Sequence, residues 1–174
     1  MTMAGGAAMI ERIGELTGRV LAWLTLAMVA VTVVIVAARY LFDAGWIALQ
    51  ESVTWMHGLV LMLGLAYTLK HDAHVRVDVF YRRFGVRGRA WVDLVGVVVL
   101  LLPLCGFIVW SSWGYVADAW AIGERSREAG GLPGLYLLKT AIPLAGLLLA
   151  AQGLAMAAAA FKTIFGGRAV SGKP

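Results

Sequence analysis

One ionisable side chain lies well inside an apolar stretch of this sequence, and it is a histidine. His57 falls within residues 52–69, a range that contains no Asp, Glu, Lys or Arg. A histidine in such surroundings can ligate haem, carry a proton or hydrogen-bond to a neighbouring helix. Haem held by two histidines needs a second one in an apolar stretch, and the chain offers none. A simple hydrogen bond is therefore the interpretation that we favour for His57.

Two further histidines flank an aspartate in a pattern that could suggest a metal site. His71 and His74 are three residues apart, with Asp72 between them. A stable zinc site needs three or four preorganised ligands, so this spacing alone is weak evidence for a metal. The single cysteine, Cys105, rules out an internal disulfide and a cysteine cluster. Its apolar neighbours favour a small buried hydrophobic side chain.

Motifs that catalysis commonly uses are missing from the sequence. It has no glycine-rich phosphate loop of the P-loop kind, no nucleophile elbow and no pair of cysteines. We therefore expect no catalytic residue, no metal and no cofactor, and we do not expect an enzyme.

The composition indicates that lipid surrounds much of the chain. Of its 174 residues, 61% are hydrophobic and 14% are charged, and the mean hydropathy is +0.82. A soluble domain carries about 25% charged residues. The net charge of +5 and the pI of about 9.7 would suggest nucleic acid as a partner of a soluble protein. In a membrane protein they are explained by Lys and Arg residues that gather at the ends of spans.

Four apolar runs are long enough to cross a bilayer, which takes about 20 residues of helix. We predict an all-α integral membrane protein with one domain, residues 1–174. Its spans lie at residues 20–38, 52–69, 94–117 and 140–161. The first run is longer than the apolar core of a secretory signal, which is about 7–15 residues, so we expect it to be retained.

The positions of the cations orient these spans, because Lys and Arg mark cytoplasmic loops. One side of the predicted bundle carries Arg12, Arg19, Lys70, Arg76, Arg82, Arg83, Arg87, Arg89, Lys162, Arg168 and Lys173. The other side carries Arg39, Arg125, Arg127 and Lys139. Both termini and the loop 70–93 should therefore be cytoplasmic, and the loop 118–139 should lie on the opposite side.

Amphipathic segments are expected at the membrane surface. Residues 1–18 repeat apolar residues at helical spacing and predict a short helix that leads into the first span. Residues 74–80 alternate polar and apolar residues, which is typical of a strand, although the apolar ones also fit one side of a helix. We favour an interfacial helix, because a lone strand would leave its backbone unpaired. The cations expected to meet anionic phospholipid headgroups there are Arg82, Arg83, Arg87 and Arg89.

Prolines and small residues distinguish the last two spans. Pro103 sits inside the third span, where it should kink the helix. Pro143 falls in the first turn of the fourth span, where proline is tolerated. The fourth span is rich in Ala and Gly, which let helices approach closely in lipid. We expect this helix to pack against protein.

Two features at the outer ends of the spans have alternative interpretations. Glu51 opens the second span, where a carboxylate in the first turn suits the positive end of a helix dipole or contacts a partner. An aromatic belt closes the third span and consists of Trp110, Trp113, Tyr115 and Trp120. Lipid anchoring explains this belt, whereas a ligand cage would also need a cavity.

The stretch from residue 51 to residue 93 resembles a known family. The parts that carry the resemblance are Glu51-Ser52, Trp55, the small-residue run that ends at Tyr67, the segment from Lys70 to Asp78, and Arg89-Ala90-Trp91-Val92-Asp93. Together they resemble the signature of the DctQ family, the small membrane subunit of tripartite ATP-independent periplasmic (TRAP) transporters. The family often has an acidic pair where this chain has Glu51-Ser52.

The resemblance implies a four-span protein of the bacterial inner membrane. It implies a large permease subunit that holds the substrate and sodium sites and moves by an elevator mechanism, and a periplasmic binding protein that delivers an organic acid. The small subunit would be a non-catalytic scaffold. The residues that we expect at a partner or lipid interface are Glu51, Trp55, Tyr67, His74, Arg76, Asp78, Arg82, Arg83 and Trp91.

Two other functions stay open on the sequence alone. The chain could be the haem-binding or quinone-linked membrane anchor of a redox complex, with His57 and a histidine of a partner as ligands. It could also be a small channel or exporter that works as an oligomer. Absorption spectra and reconstitution of the isolated chain separate these functions from a scaffold.

Overall fold

A computed structural model describes the backbone of residues 2–74, 81 and 83–165, and the side chains from residue 14 onward within those ranges. In this part of the chain all regular structure is helical. Four of its helices are long and apolar enough to cross a membrane, as the sequence predicts. They are α1 (Thr2–Phe42), α2 (Ile47–Lys70), α3 (Val86–Ala121) and α4 (Leu135–Phe165).

Each helix contains one of the predicted apolar runs and extends beyond it at both ends. The predicted lead-in helix, residues 1–18, is not separate from the first span, because α1 continues without a break from Thr2 to Phe42. No proline interrupts that stretch. The predicted interfacial helix at residues 74–80 lies almost entirely outside the described residues.

Sharp turns end three of the helices and reverse the chain. The residues after α1, α2 and α3 include Asp43, Asp72 and Gly123, whose φ angles of 50°, 54° and 58° are left-handed. Asp tolerates this conformation better than most residues with a side chain, and Gly adopts it without strain. After α2 and α3 the next N–H returns to a carbonyl five residues back, as in a Schellman motif. Successive helices therefore run in opposite directions.

The fourth helix lies at the centre of the bundle and contacts each of the other three. Its buried residues recur mostly every third or fourth position, and most are small: Ala141, Pro143, Ala145, Gly146, Leu149, Gly153, Ala157, Ala160 and Ile164. A side chain on Gly146 would come within 3.0 Å of Val109, and one on Gly153 within 2.6 Å of Leu101. The small face of α4 therefore packs against α3 of the same chain.

A π-helical turn interrupts α3 at Gly96–Leu101, directly before Pro103. There the N–H of Leu102 donates to the carbonyl of Val97, five residues back. Proline lacks an N–H and its ring clashes with the carbonyl four residues earlier, so a wider turn relieves this clash. The irregularity that the sequence predicts at Pro103 thus takes the form of a π turn that precedes it.

Candidate functional site

The antiparallel helices gather polar residues at two ends of the bundle. We call the end where α2 and α4 begin the Glu51 end, and the end where α2 finishes the Lys70 end. The apolar middle contains no Asp, Glu, Lys or Arg, since residues 20–38, 52–69, 94–117 and 140–161 are free of them. The two ends are therefore where charged groups can hold the fold or contact a partner.

Glu51 binds the loop that joins α3 to α4. The loop supplies two donors, the hydroxyl of Ser126 and the backbone N–H of Leu132, which donates at 2.6 Å. Because α2 begins at Ile47, Glu51 lies in the second turn and not in the first turn that the sequence indicates. The contact with the loop, within the same chain, accounts for the carboxylate at this position.

The loop is folded compactly around Ser126. The N–H of Ser126 donates to the carbonyl of Leu132 at 3.1 Å, and the N–H of Glu128 donates to the Ser126 hydroxyl at 3.1 Å. A Cβ on Gly131 would come within 2.5 Å of the Ser126 hydroxyl and 2.8 Å of the Glu51 carboxylate. A side chain at this position would therefore displace the side chains of Ser126 and Glu51. We refer to Glu51, Ser126, Gly131 and Leu132 as the Glu51 cluster.

A second set of contacts joins the end of α3 to the beginning of α4. Lys139 forms a salt bridge with Glu124, and its ammonium lies 3.8 Å from the centre of the Tyr115 ring. An ammonium over an aromatic ring is attracted by the electrons of the ring face. Both contacts place the amine of Lys139 between the loop and α3, so they restrict the same loop that Glu51 binds.

The predicted aromatic belt divides into two parts. The indole N–H of Trp120 donates to the Thr140 hydroxyl at 2.9 Å, and its ring lies 4.5 Å from that of Tyr136. Trp110 and Trp113 are instead 78% and 66% exposed on the outer surface of α3. Trp120 therefore holds α3 against α4, whereas the other two are free to meet lipid or another protein.

At the Lys70 end, α1 is joined to α2. The Lys70 ammonium lies 2.8 Å from the Glu15 carboxylate, and Nε2 of His71 lies 3.4 Å from the same group. The Tyr67 ring lies 4.2 Å from the His71 ring and closes against Gly18, where a Cβ would approach it to 2.2 Å. Tyr67, one of the residues expected at a partner or lipid interface, is half-buried and makes these contacts within its own chain, and its place at an interface stays a prediction.

Three of the other residues expected at an interface also lie at this end. His74 Nε2 lies 3.2 Å from the carbonyl of Leu65. Trp91 packs edge-on against Phe165 at 6.1 Å, and the Arg83 side chain is exposed. Trp55 is half-buried nearer the Glu51 end. Three of the expected residues lie outside the described residues: Arg76, Asp78 and Arg82.

The candidate chemical groups stay apart from one another. His57 is exposed on the outside of α2, and Cys105 is buried between α3 and α4. Among the described residues no three His, Cys, Asp or Glu side chains gather in a way that could hold a metal. The contacts at the two ends of the bundle organise loops and helix ends.

Comparison with known families identifies the group to which the chain is related. Residues 28–163 match the family described as "Tripartite ATP-independent periplasmic transporters, DctQ component". The chain belongs to the DctQ family. The resemblance seen in residues 51–93 is thereby confirmed. This DctQ chain is a small, multi-pass membrane subunit of a TRAP transporter. No curated protein matches it.

The match begins inside α1 and ends near the close of α4, so it includes the Glu51 cluster and the Lys139 contacts. Sequence analysis of this DctQ subunit missed most of the partners in those contacts. The sequence predicted a loop at residues 118–139 and showed which of its residues are charged. Nothing local indicated that Ser126 and Leu132 would meet Glu51, because long-range contacts leave no periodic pattern in a sequence.

Proposed function

We propose that this DctQ subunit is the non-catalytic scaffold of a sodium-driven secondary transporter that imports organic acids with the help of a binding protein. Its partners would be a large permease subunit, which carries the substrate and sodium sites, and a periplasmic binding protein. The small subunit would enlarge the fixed part of the permease. Membership of the DctQ family supports this proposal.

The observation that carries the proposal is the absence of charge at membrane depth. Residues 20–38, 52–69, 94–117 and 140–161 contain no Asp, Glu, Lys or Arg. Sites for ions and acidic substrates inside a membrane are usually built from ionisable groups that face the interior of a bundle. His57 is the one histidine in these ranges, and its side chain is exposed on the outside of α2. A chain built in this way suits the support of a transport pathway that another subunit provides.

The outer faces of the bundle are available to lipid and to the permease. Gly146 and Gly153 of α4 already pack against α3 within the chain. Large apolar side chains of α1 and α3 are exposed, among them Val33, Val34, Leu100 and Phe107. Exposed apolar side chains are expected wherever a helix faces lipid. A permease subunit can also bind only to such an exposed outer face. We therefore place the permease contact on an outer face of the bundle.

The orientation that we propose follows from the cations. The Lys70 end carries Lys70, Arg83, Arg87, Arg89 and Lys162, and the Glu51 end carries fewer cations. By the positive-inside rule the Lys70 end, with both termini, faces the cytoplasm of a bacterial cell. The Glu51 cluster and its loop then face the periplasm, the side from which a binding protein approaches.

Co-purification tests the proposed assembly. The large permease encoded with this subunit is tagged, both chains are expressed together, and the eluted complex is weighed by native mass spectrometry. We expect one copy of each chain, and Trp55→Ala should lower the recovery of the small subunit while leaving its thermal unfolding unchanged. Glu128→Ala, which changes an exposed residue of the loop outside the predicted spans, is the control. Recovery of the permease without this chain would contradict the proposal.

The geometry does not favour the alternative function, a haem-binding anchor of a redox complex. His57 is exposed, and no second histidine lies in an apolar stretch of this chain. A visible spectrum of the purified subunit checks this directly. We expect no Soret band.

A further inference from the structure

The exposed residues of α2 lie on one face of the helix. They are Ile47, Thr54, His57, Leu61 and Leu65. Steps of three, four and seven residues keep them on the same side, and they extend over about 27 Å of helix. That length nearly spans the hydrocarbon core of a bilayer, which is about 30 Å thick. We call this surface the α2 face.

His57 lies on the α2 face at the depth of acyl chains. The charged residues nearest the two ends of α2 are Glu51 and Lys70, which are about 28 Å apart along the helix. This separation is close to the thickness of the hydrocarbon core, so the two residues mark its surfaces. His57 follows Glu51 by nearly two turns and therefore lies about 9 Å below the level of that carboxylate.

The hydrogen-bonding groups of His57 are not used within the chain. Among the described residues nothing hydrogen-bonds to its ring. The Ser and Thr hydroxyls of the four predicted spans instead all donate to a carbonyl three or four residues back in the same helix; these residues are Thr25, Thr32, Ser52, Thr54, Thr68, Ser111, Ser112 and Thr140. Gln152, the one carboxamide in these spans, lines a cavity of about 50 Å³ between α1, α2 and α4. The His57 ring is thus a polar group that faces away from its own chain.

The composition of α2 does not match its exposure. α2 is the least apolar of the four spans, and none of its residues is fully buried within the chain. α1 and α3 are also largely exposed but are much more apolar, and even the central helix α4 is more apolar than α2. A helix that meets lipid on its open sides is expected to be strongly apolar, as α1 and α3 are. α2 therefore has the composition of a helix that contacts protein on more sides than its own chain provides.

We infer that the α2 face packs against a transmembrane helix of the large permease subunit, and that His57 hydrogen-bonds to a polar group of that helix. The inference rests on the proposed function, which supplies the permease as the partner. A neutral imidazole offers one donor and one acceptor. Acyl chains can satisfy neither, and a polar group left unpaired in an apolar medium costs free energy. Hydroxyl and amide groups of a neighbouring helix can satisfy both.

Photo-crosslinking in the assembled transporter tests the position of this contact. The photoreactive residue p-benzoylphenylalanine replaces Leu61 of the α2 face or, as the control, Leu100 of α3, which are 59% and 71% exposed. Each variant is expressed with the tagged permease and irradiated in membranes. Leu61 should crosslink to the permease much more strongly than Leu100. Equal or stronger crosslinking from Leu100 would overturn the inference and leave the proposed function intact. A subunit that neither crosslinks to the permease nor co-purifies with it would overturn both.

Two substitutions of His57 test the hydrogen bond separately. His57→Leu gives a side chain that suits lipid, whereas His57→Gln keeps a donor and an acceptor. His57→Leu should weaken binding to the permease about threefold, which is typical of a hydrogen bond between helices in a membrane, and His57→Gln should weaken it less. Thermal unfolding of the isolated subunit should be the same in both variants as in the wild-type protein. A loss of this size leaves the complex assembled, so uptake in cells should change little. Wild-type affinity of the His57→Leu protein would show that lipid covers the ring and would contradict the inference.

Discussion

Glu51 and Ser126 are 75 residues apart in the sequence, and the hydroxyl of Ser126 donates a hydrogen bond to the carboxylate of Glu51. The N–H of Leu132 donates to the other carboxylate oxygen. One side chain at the start of α2 thus holds the loop that leads into α4. Since α4 is the central helix, this contact fixes the path of the chain at the Glu51 end.

Removing the Glu51 carboxylate should release this loop. Hydrogen bonds to charged groups contribute about 1.5–3 kcal/mol, and about 1.4 kcal/mol corresponds to a factor of ten. In Glu51→Ala we therefore expect the amides of residues 124–132 to exchange hydrogen at least about tenfold faster, with the helices unchanged. Glu128→Ala, which removes an exposed carboxylate of the same loop, is the control. Equal exchange in the wild-type and Glu51→Ala proteins would show that other contacts hold the loop.

A second prediction concerns the close packing of Gly18 against the ring of Tyr67. A Cβ at Gly18 would lie 2.2 Å from the Tyr67 ring, and overpacking of this kind costs about 1–3 kcal/mol. Gly18→Ala should lower the thermal unfolding temperature of the subunit in detergent. Gly106→Ala should not, because a Cβ there would meet no atom within 4 Å.

The same contact can be tested by a double-mutant cycle. In a Tyr67→Leu background, Gly18→Ala should cost much less than in the wild-type protein. Additive losses would mean that Gly18 is needed for some reason other than the ring of Tyr67.

His57 is expected to be dispensable. Its side chain is exposed on α2 and no second histidine lies in an apolar stretch. His57→Ala should keep at least about half of the wild-type uptake rate in cells, which is a change of less than about 0.5 kcal/mol. A complete loss of uptake with normal membrane levels of the protein would restore a functional role for this histidine.

The orientation of the bundle can be measured with reporters fused to loops and termini. We expect both termini and the loop 70–93 in the cytoplasm, and the loop 118–139 in the periplasm. Replacing Arg82 and Arg83 by Glu should impair insertion, because it inverts charges in the most cationic loop. The same change at Arg125 and Arg127 should have little effect. Unchanged topology and uptake when Arg82 and Arg83 are replaced by Glu would show that the loop 70–93 does not orient the bundle.

The sequence was sufficient to predict the four helices and the family. In lipid, a run of about 20 apolar residues can form all its backbone hydrogen bonds only as a helix. Composition alone therefore predicts the helices of a membrane protein. The helix ends were less predictable, since α1 continues through residues 1–18 and α2 begins at Ile47. The spans were predicted from uncharged runs, and charged residues in these extensions end those runs before the helices themselves end.

Contacts between helices were not predictable, because they depend on which face of each helix turns inward. Tyr67 was expected at a partner or lipid interface, and nothing in the sequence indicated that its ring also packs on Gly18. The small face of α4 was expected to pack against protein, and that protein is α3 of the same chain. In a membrane both faces of a helix are apolar, so the hydrophobic pattern that separates core from surface in soluble proteins carries little information.

Reconstitution of transport tests the central claim most directly. Proteoliposomes are made with this subunit alone, with the large permease alone and with both, and sodium-dependent uptake of an organic acid is measured in the presence of the binding protein. We predict uptake only when both membrane subunits are present. Uptake by vesicles that contain this subunit as their only membrane protein would contradict the account.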